Sequence, residues 1–205
     1  MTTPNDRDLF AALPTDDIEA SARLHSRLIA EATKAGILDI AYRTIDTPIG
    51  SLLLAATEEG LVRVGFDSEG HDHVLERLAT DVSPRILAAP KRLDLVAREL
   101  DEYFAGRRSS FDLPLDLRLS RGFRRIVLDH LPDIAYGTTA SYAAIAQASG
   151  NPRAVRAVGS ACATNPIPVV VPCHRVVRSD GSLGQYAGGV AVKAALLALE
   201  GARAA

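Results

Sequence analysis

Three β-rich runs, ILDIAYRTID (37–46), SLLLAAT (51–57) and LVRVGF (61–66), follow one another with only TPIG and EEG between them. Turns this short favour antiparallel neighbours, so the spacing predicts a small meander. HDHVLERLATD (71–81) and KRLDLVARELDEYFAG (91–106) then carry the apolar spacing of amphipathic helices, which together with the strands make a small α/β scaffold. Ahead of it, TDDIEASARLHSRLIAEATKA (15–35) predicts a packing helix: Ile18, Leu24, Leu28 and Ile29 recur at helical spacing, acids fill the first turn, and Gly36 can end it. Behind it, SSFDLPLDLRLSRG (109–122) has a proline and few helix formers, and predicts an extended linker.

Beyond the linker the chain changes character. RGFRRIVLDHL (121–131) reads as a basic amphipathic helix, and residues 135–166 hold two helical patterns around SGNP. Ser141 suits the N-cap of the first, Gly150 its end, and Pro152 the first turn of the second. Helix, short turn, helix with Arg153 and Arg156 on the second element is the layout of a helix-turn-helix, although such helix pairs are common. Charge divides in the same place. From Ser120 onward nine Lys and Arg face four Asp and Glu, a surplus of +5, whereas residues 1–119 carry −7 of the net −2. The C-terminal part can meet a polyanion; the N-terminal part cannot.

Apolar content of 47% with 23% charged residues belongs to a folded chain and sets aside collagen-like and wholly disordered classes. No run approaches the roughly 18 apolar residues of a membrane span, and the first residues lack the basic and apolar regions of a signal peptide. A cytoplasmic protein with no membrane partner is the expectation, with Cys162 and Cys173 as thiols. His71 and His73 alternate without partners, so no metal site is expected.

IPVVVPCHRVV (167–177) predicts a buried strand for its valines, yet sets Cys173 beside His174. An unperturbed thiol is only a few per cent thiolate at neutral pH, so a nucleophilic cysteine needs a base. Neighbours in sequence point apart on a strand or helix, so His174 would reach Cys173 only across a turn or through a water. A third group should orient the imidazole, and Glu200 in LLALEG is a candidate if the fold returns it. An inert buried thiol remains the competing reading.

PCHRVV, preceded by RAVGSACATNPIPVVV and followed by GSLGQYAGGVAVKAALLALEG, resembles the active-site region of the O6-alkylguanine-DNA alkyltransferases. The resemblance runs from about residue 37 to Ala202, and YFAGRRSSFDLPLDL matches the family's domain junction. It implies an α+β fold: a helical extension over 1–36, a ribonuclease H-like domain with a three-stranded antiparallel sheet and helices over 37–117, and a helical, winged-helix-like domain over 118–205 that contains the helix-turn-helix. It further implies direct damage reversal. Cys173 would take the alkyl group irreversibly from O6-alkylguanine in double-stranded DNA, and also from O4-alkylthymine, each molecule acting once.

In that scheme His174 takes the thiol proton through water, Glu200 holds the histidine, and Tyr142 donates a proton to the departing base. The nucleotide is flipped out, with Arg156 filling the stack and Arg153, Ala154, Ala157 and Gly159 approaching the groove. Asn165, Pro168, Tyr186 and Ala187 would line the substrate pocket, and Gly188 and Gly189 would allow tight turns. No cofactor or metal is implied, and a monomer is expected. Several positions depart from the common pattern: Ala187 offers no hydroxyl, Gln185 replaces a smaller residue, Leu128 stands where tryptophan is common, and the zinc-binding cysteines of some relatives are missing. A non-catalytic protein that binds alkyl damage or regulates through DNA, and a Cys-His hydrolase, are the alternatives.

Overall fold

The computed structural model describes residues 18–202. The chain divides into two compact units, Met1–Leu38 and Asp39–Ala205. The first holds helix α1 (Ile18–Lys34), with Glu19 in its first turn and Lys34 in its last, where each charge opposes the helix dipole. It stops as expected: Gly36 turns left-handed at φ 64° and Ile37 N–H donates to the Ala32 carbonyl. Positions 15–17 of the expected helix lie outside the described residues.

In the second unit the meander forms as β1 (Ile40–Thr47), β2 (Gly50–Ala56) and β3 (Leu61–Phe66). Thr47 faces Gly50 across the first hairpin, and a bulge interrupts the β2–β3 register at Ala55/Ala56. A fourth strand escapes the sequence reading. After helix α2 (His71–Asp81), β4 (Ile86–Ala88) pairs parallel to β1, giving the order β3-β2-β1-β4. Three half-buried residues are too few to show a period.

The unalternating SLLLAA run has a structural cause, since β2 is buried on both faces. Leu53 and Ala55 pack with Val74 and Leu78 of α2. Leu52 and Leu54 face the other way, into a core shared with helix α3 (Asp94–Phe104) and the C-terminal helices. The 109–122 segment is no loose tether. Pro114 accepts from Leu61 N–H at 2.9 Å, and Asp116 N–H donates to the Leu61 carbonyl at 2.8 Å, which seats the segment along β3. A Cβ at Gly60 would strike the Pro114 carbonyl, so glycine permits this approach.

The C-terminal part contains α4 (Phe123–His130), α5 (Tyr142–Ala148), α6 (Val155–Ala163) and α7 (Gly189–Leu199). A two-stranded parallel ribbon joins β5 (Ala140–Ser141) to β6 (Val176–Val177). Ser141 Oγ accepts from Ala144 N–H at 3.1 Å and caps α5 as predicted, and Gly150 ends the motif's first helix at φ 75°. The second helix starts later than the sequence suggests. Pro152 and Arg153 precede it, and Ala154 is its N-cap. Among the described residues, no helix is long and apolar enough to cross a membrane.

Candidate active site

Of the strand expected through IPVVVPCHRVV, only Val176–Val177 forms, as β6. Residues 167–172 fold into a buried turn in which Val171 N–H donates to the Ile167 carbonyl, and Val169 adopts φ 73°. Pro166, Pro168 and Pro172 remove amide donors that a strand would need. A β-branched residue in the left-handed region is held there only by its surroundings. Asn165 supplies much of that hold. Its Oδ1 accepts from Ile167 N–H at 3.0 Å, while Nδ2 donates to the Val171 carbonyl at 2.8 Å and to Cys173 Sγ at 3.1 Å. One amide therefore pins the turn and touches the sulfur. Thr164 caps α6.

Cys173 opens a single 3-10 turn, Cys173–Arg175, and is 1% exposed. Burial pushes its thiol up to about 11, against the hydrogen bond from Asn165 and the charge of Lys193. At neutral pH it is a protonated thiol. The next residue, His174, turns its Nε2 to Glu200 Oε1 at 2.8 Å. An ionised carboxylate only accepts, so Nε2 carries the hydrogen and Nδ1 is left as the basic nitrogen. Nδ1 is buried and has no protein hydrogen-bond partner among the described residues. Burial lowers the His174 pKa more strongly than Glu200 raises it, so the ring is a neutral base.

Glu200, the C-cap of α7, gathers donors from distant parts of the chain. Oε1 accepts from Tyr103 Oη at 2.7 Å and from Arg175 Nη2 at 3.0 Å in addition to His174. Oε2 accepts from Arg175 Nε at 2.9 Å and from Gly137 N–H at 3.3 Å. Burial alone would raise this carboxyl, but the hydrogen bonds from His174 and Arg175 outweigh it and bring the pKa down to about 2. The carboxylate is thus charged at neutral pH, and Arg175, which also donates to the Ile134 carbonyl at 2.6 Å, compensates it.

Tyr142, first residue of α5, stands half-buried between two glycines. A Cβ at Gly159 on α6 would be in ordinary contact with its ring, and one at Gly184 would collide with its hydroxyl. Burial, then the nearby Cys162 and Cys173, keep the phenol protonated. Beneath it lies Lys193, wholly buried, whose Nζ donates to the Val176 carbonyl at 2.5 Å and sits 5.8 Å from the Tyr142 ring centroid. No carboxylate pairs with it among the described residues. Its charge falls on both Cys173 and Cys162.

Tyr186 packs edge-on to His174 at 6.4 Å and to Phe66 of β3 at 5.7 Å. Gly188 has φ −81°, and its role differs from the tight turn expected. It makes room for the Phe66 ring, while Gly189 does take the positive φ of 87°. Pro168 is buried in the turn, bridged to Val171, and Ala187 is half-buried on a cavity of about 360 Å³ that Asn165, Arg63 and Arg124 also line. On α6, Arg156 and Ala157 are exposed with Arg153 just ahead of the helix, and Ala154 and Gly159 are half-exposed.

Cys173, His174, Glu200, Tyr142, Asn165 and Tyr186 therefore lie in one assembly. Tyr103, Gly137, Arg175, Lys193 and Phe66 belong to the same assembly and were not anticipated. Only two left a trace in the sequence. Arg175 follows the Cys-His pair, and Lys193 is the one charge inside the apolar stretch GVAVKAALLAL.

Two family models cover most of the chain: the 6-O-methylguanine DNA methyltransferase ribonuclease-like domain matches residues 40–117, and the DNA binding domain of the same family matches 122–202. The chain belongs to the 6-O-methylguanine DNA methyltransferase family. The methylated-DNA–protein-cysteine methyltransferase of Mycolicibacterium paratuberculosis is 43% identical over 161 residues, 78% of this chain and 92% of that one. The constitutive enzyme of Bacillus subtilis is 37% identical, covering 78% of this chain and 94% of its own. A crystal structure of Mycobacterium tuberculosis OGT in complex with DNA has a TM-score of 0.67 at 39% identity, covering 80% of this chain and 96% of that one. The methyltransferase family thus accounts for both halves, the scaffold that carries Tyr103 and the helical part that carries Cys173.

Proposed function

We propose that Cys173 is the alkyl acceptor of a methylated-DNA–protein-cysteine methyltransferase that repairs O6-alkylguanine in double-stranded DNA. The protein works in DNA repair, by alkyl transfer to cysteine. The contact that carries the assignment of roles is His174 Nε2 on Glu200 Oε1 at 2.8 Å, because it directs the basic Nδ1 away from the carboxylate.

The reaction needs a thiolate only at the moment of attack. The Cys173 proton passes to His174 Nδ1 through a water, and the new imidazolium is stabilised by Glu200, already charged in the resting protein. Asn165 Nδ2 and the Lys193 charge favour the sulfur anion as it forms. Sulfur then attacks the alkyl carbon, the carbon–oxygen bond breaks with its electron pair on guanine O6, and the Tyr142 hydroxyl supplies a proton to the departing base. The thioether is not reversed, so each molecule acts once.

The target carbon is out of reach inside a duplex, so the nucleotide is extruded at a cost of a few kcal/mol. Exposed Arg156 occupies the vacated stack while Arg153, Ala154, Ala157 and Gly159 meet the groove. Tyr186, Pro168 and Ala187 bound the pocket, and residues 118–205 do this work as a monomer on the 37–117 scaffold. O4-alkylthymine is a second substrate of the same site.

Incubation with a duplex carrying one O6-methylguanine is expected to add one methyl mass to the Cys173 peptide in proportion to guanine restored. Cys173→Ala should bind the same duplex without repairing it. An unmodified Cys173 peptide beside unrepaired DNA would overturn the reading in favour of a non-catalytic damage binder.

A further inference from the structure

The segment after β6 is a rim around Tyr142. β5 and β6 run parallel with Ala140 opposite Val176 and Ser141 opposite Val177, so the next residues on the two strands, Tyr142 and Arg178, leave the ribbon side by side. The chain then closes a tight turn. Arg178 N–H donates to the Ser182 carbonyl at 3.0 Å and Gly181 N–H to the Arg178 carbonyl at 2.9 Å. Two residues later Gly184 lies directly against the Tyr142 hydroxyl. Tyr142 is therefore flanked by α6, which carries Arg156 one turn before Gly159, and by a loop that begins with Arg178.

We propose that Arg178 is a phosphate anchor at this rim, its guanidinium holding the phosphodiester of the extruded nucleotide while the base lies against Tyr142; this rests on the reading that a flipped nucleotide enters past Tyr142. Arg178 is exposed, and among the described residues its guanidinium donates to a neutral acceptor, Ser182 Oγ at 3.3 Å. The nearby Asp180 feels the Arg178 charge but is not paired with it among the described residues. That carboxylate accepts from Ser182 N–H at 2.9 Å and Ser182 Oγ at 2.6 Å. The arginine's field reaches inward all the same, onto the Tyr142 phenol and the Lys193 ammonium.

Charge makes the location useful. Lys193 is wholly buried and already donates to a carbonyl, so it cannot meet a backbone phosphate at the surface. Arg156, if it fills the stack, is committed to bases rather than phosphate. A nucleotide swung towards Cys173 brings one negative charge to the rim, and Arg178 is a cation beside Tyr142 with donors left to receive it. The planar fork can hold two phosphate oxygens, which fixes the sugar's approach as well as its charge.

The test compares Arg178→Ala, Arg178→Lys and wild type on a duplex with one O6-methylguanine, and on free O6-benzylguanine, an uncharged base with no phosphate. Arg178→Ala is expected to lower the transfer rate on duplex about tenfold and to reduce the salt slope of duplex binding by about 0.9, with the free-base rate unchanged. Arg178→Lys keeps the charge without the fork, and should recover the salt slope but only part of the duplex rate. A single neutral methylphosphonate linkage flanking the lesion should slow wild type by a similar factor and Arg178→Ala no further. A duplex rate and salt slope equal to wild type would overturn the proposal, as would an equal loss on the free base, which would make Arg178 a support for Tyr142. Failure of wild type itself to take the methyl group would instead sink the alkyl-acceptor reading, and the salt slope, measured by binding alone, would still decide the role of Arg178.

Discussion

Tyr103 of α3 donates its hydroxyl to Glu200 Oε1 at 2.7 Å, joining residues 97 positions apart. The scaffold thereby touches the carboxylate that orients His174. Tyr103 is fully buried, and burial, with the Glu200 charge beside it, keeps its hydroxyl protonated and donating. Tyr103→Phe removes a hydrogen bond to a charged group and is expected to cost about 1–3 kcal/mol in urea denaturation. Because His174 and Arg175 still hold Glu200, methyl transfer should stay near the wild-type rate. A variant of unchanged stability, or one stable but inactive, would contradict this division.

Asn165→Ala leaves the buried Ile167 N–H without its acceptor, whereas the Val171 carbonyl loses one donor and keeps the Cys173 N–H at 2.8 Å. A loss of about 1–3 kcal/mol is expected, the cost of one buried unsatisfied group. Iodoacetamide labelling of the Cys173 peptide should show the second effect, a changed rate as the sulfur loses its donor. Stability within error of wild type would show that the turn does not depend on this amide.

The Cys173 thiol, pushed up to about 11 by burial, sets a pH profile for the DNA-free protein. Its iodoacetamide rate should climb about tenfold per pH unit between pH 7 and 9, with no plateau below about pH 10, because only the thiolate reacts. Peptide mapping separates it from Cys162. A plateau near the ordinary thiol value of about 8.5 would refute the resting protonated state.

Lys193→Met removes a buried ammonium that no carboxylate pairs with among the described residues, so thermal stability should hold or rise. Losing the positive charge near Cys173 raises the cost of the thiolate, and Cys173 labelling at fixed pH should slow about tenfold, the equivalent of one pKa unit. Faster labelling would show that the lysine does not favour the anion.

Glu200 also predicts acid sensitivity. Its folded pKa is depressed to about 2, so its stabilisation is complete above the ordinary glutamate range and is lost as pH falls from about 4.5 towards 2. About 3 kcal/mol is at stake. His174, whose folded pKa is lowered by burial, adds in the same direction, beginning below about 6.5. Denaturation midpoints that do not change between pH 7 and 3 would exclude both contributions.

By itself the sequence determined what is local. Short turns between β-rich runs dictated the meander, Ser141 and Gly150 bounded a helix, and the long ordered motif around Cys173 named the family. What it could not determine depends on where distant segments meet. β4 is too short to carry a period, and the valines before Cys173 look like a strand although prolines and the Asn165 side chain fold them into a turn. Tyr103 and Gly137 reach Glu200 only after α3 and α7 share one core, and Phe66 meets Gly188 only through that same packing. Periodicity reports a residue's own element. The protonation states of Cys173, His174 and Glu200 depend on burial and on partners up to 97 positions away, which tertiary structure alone supplies.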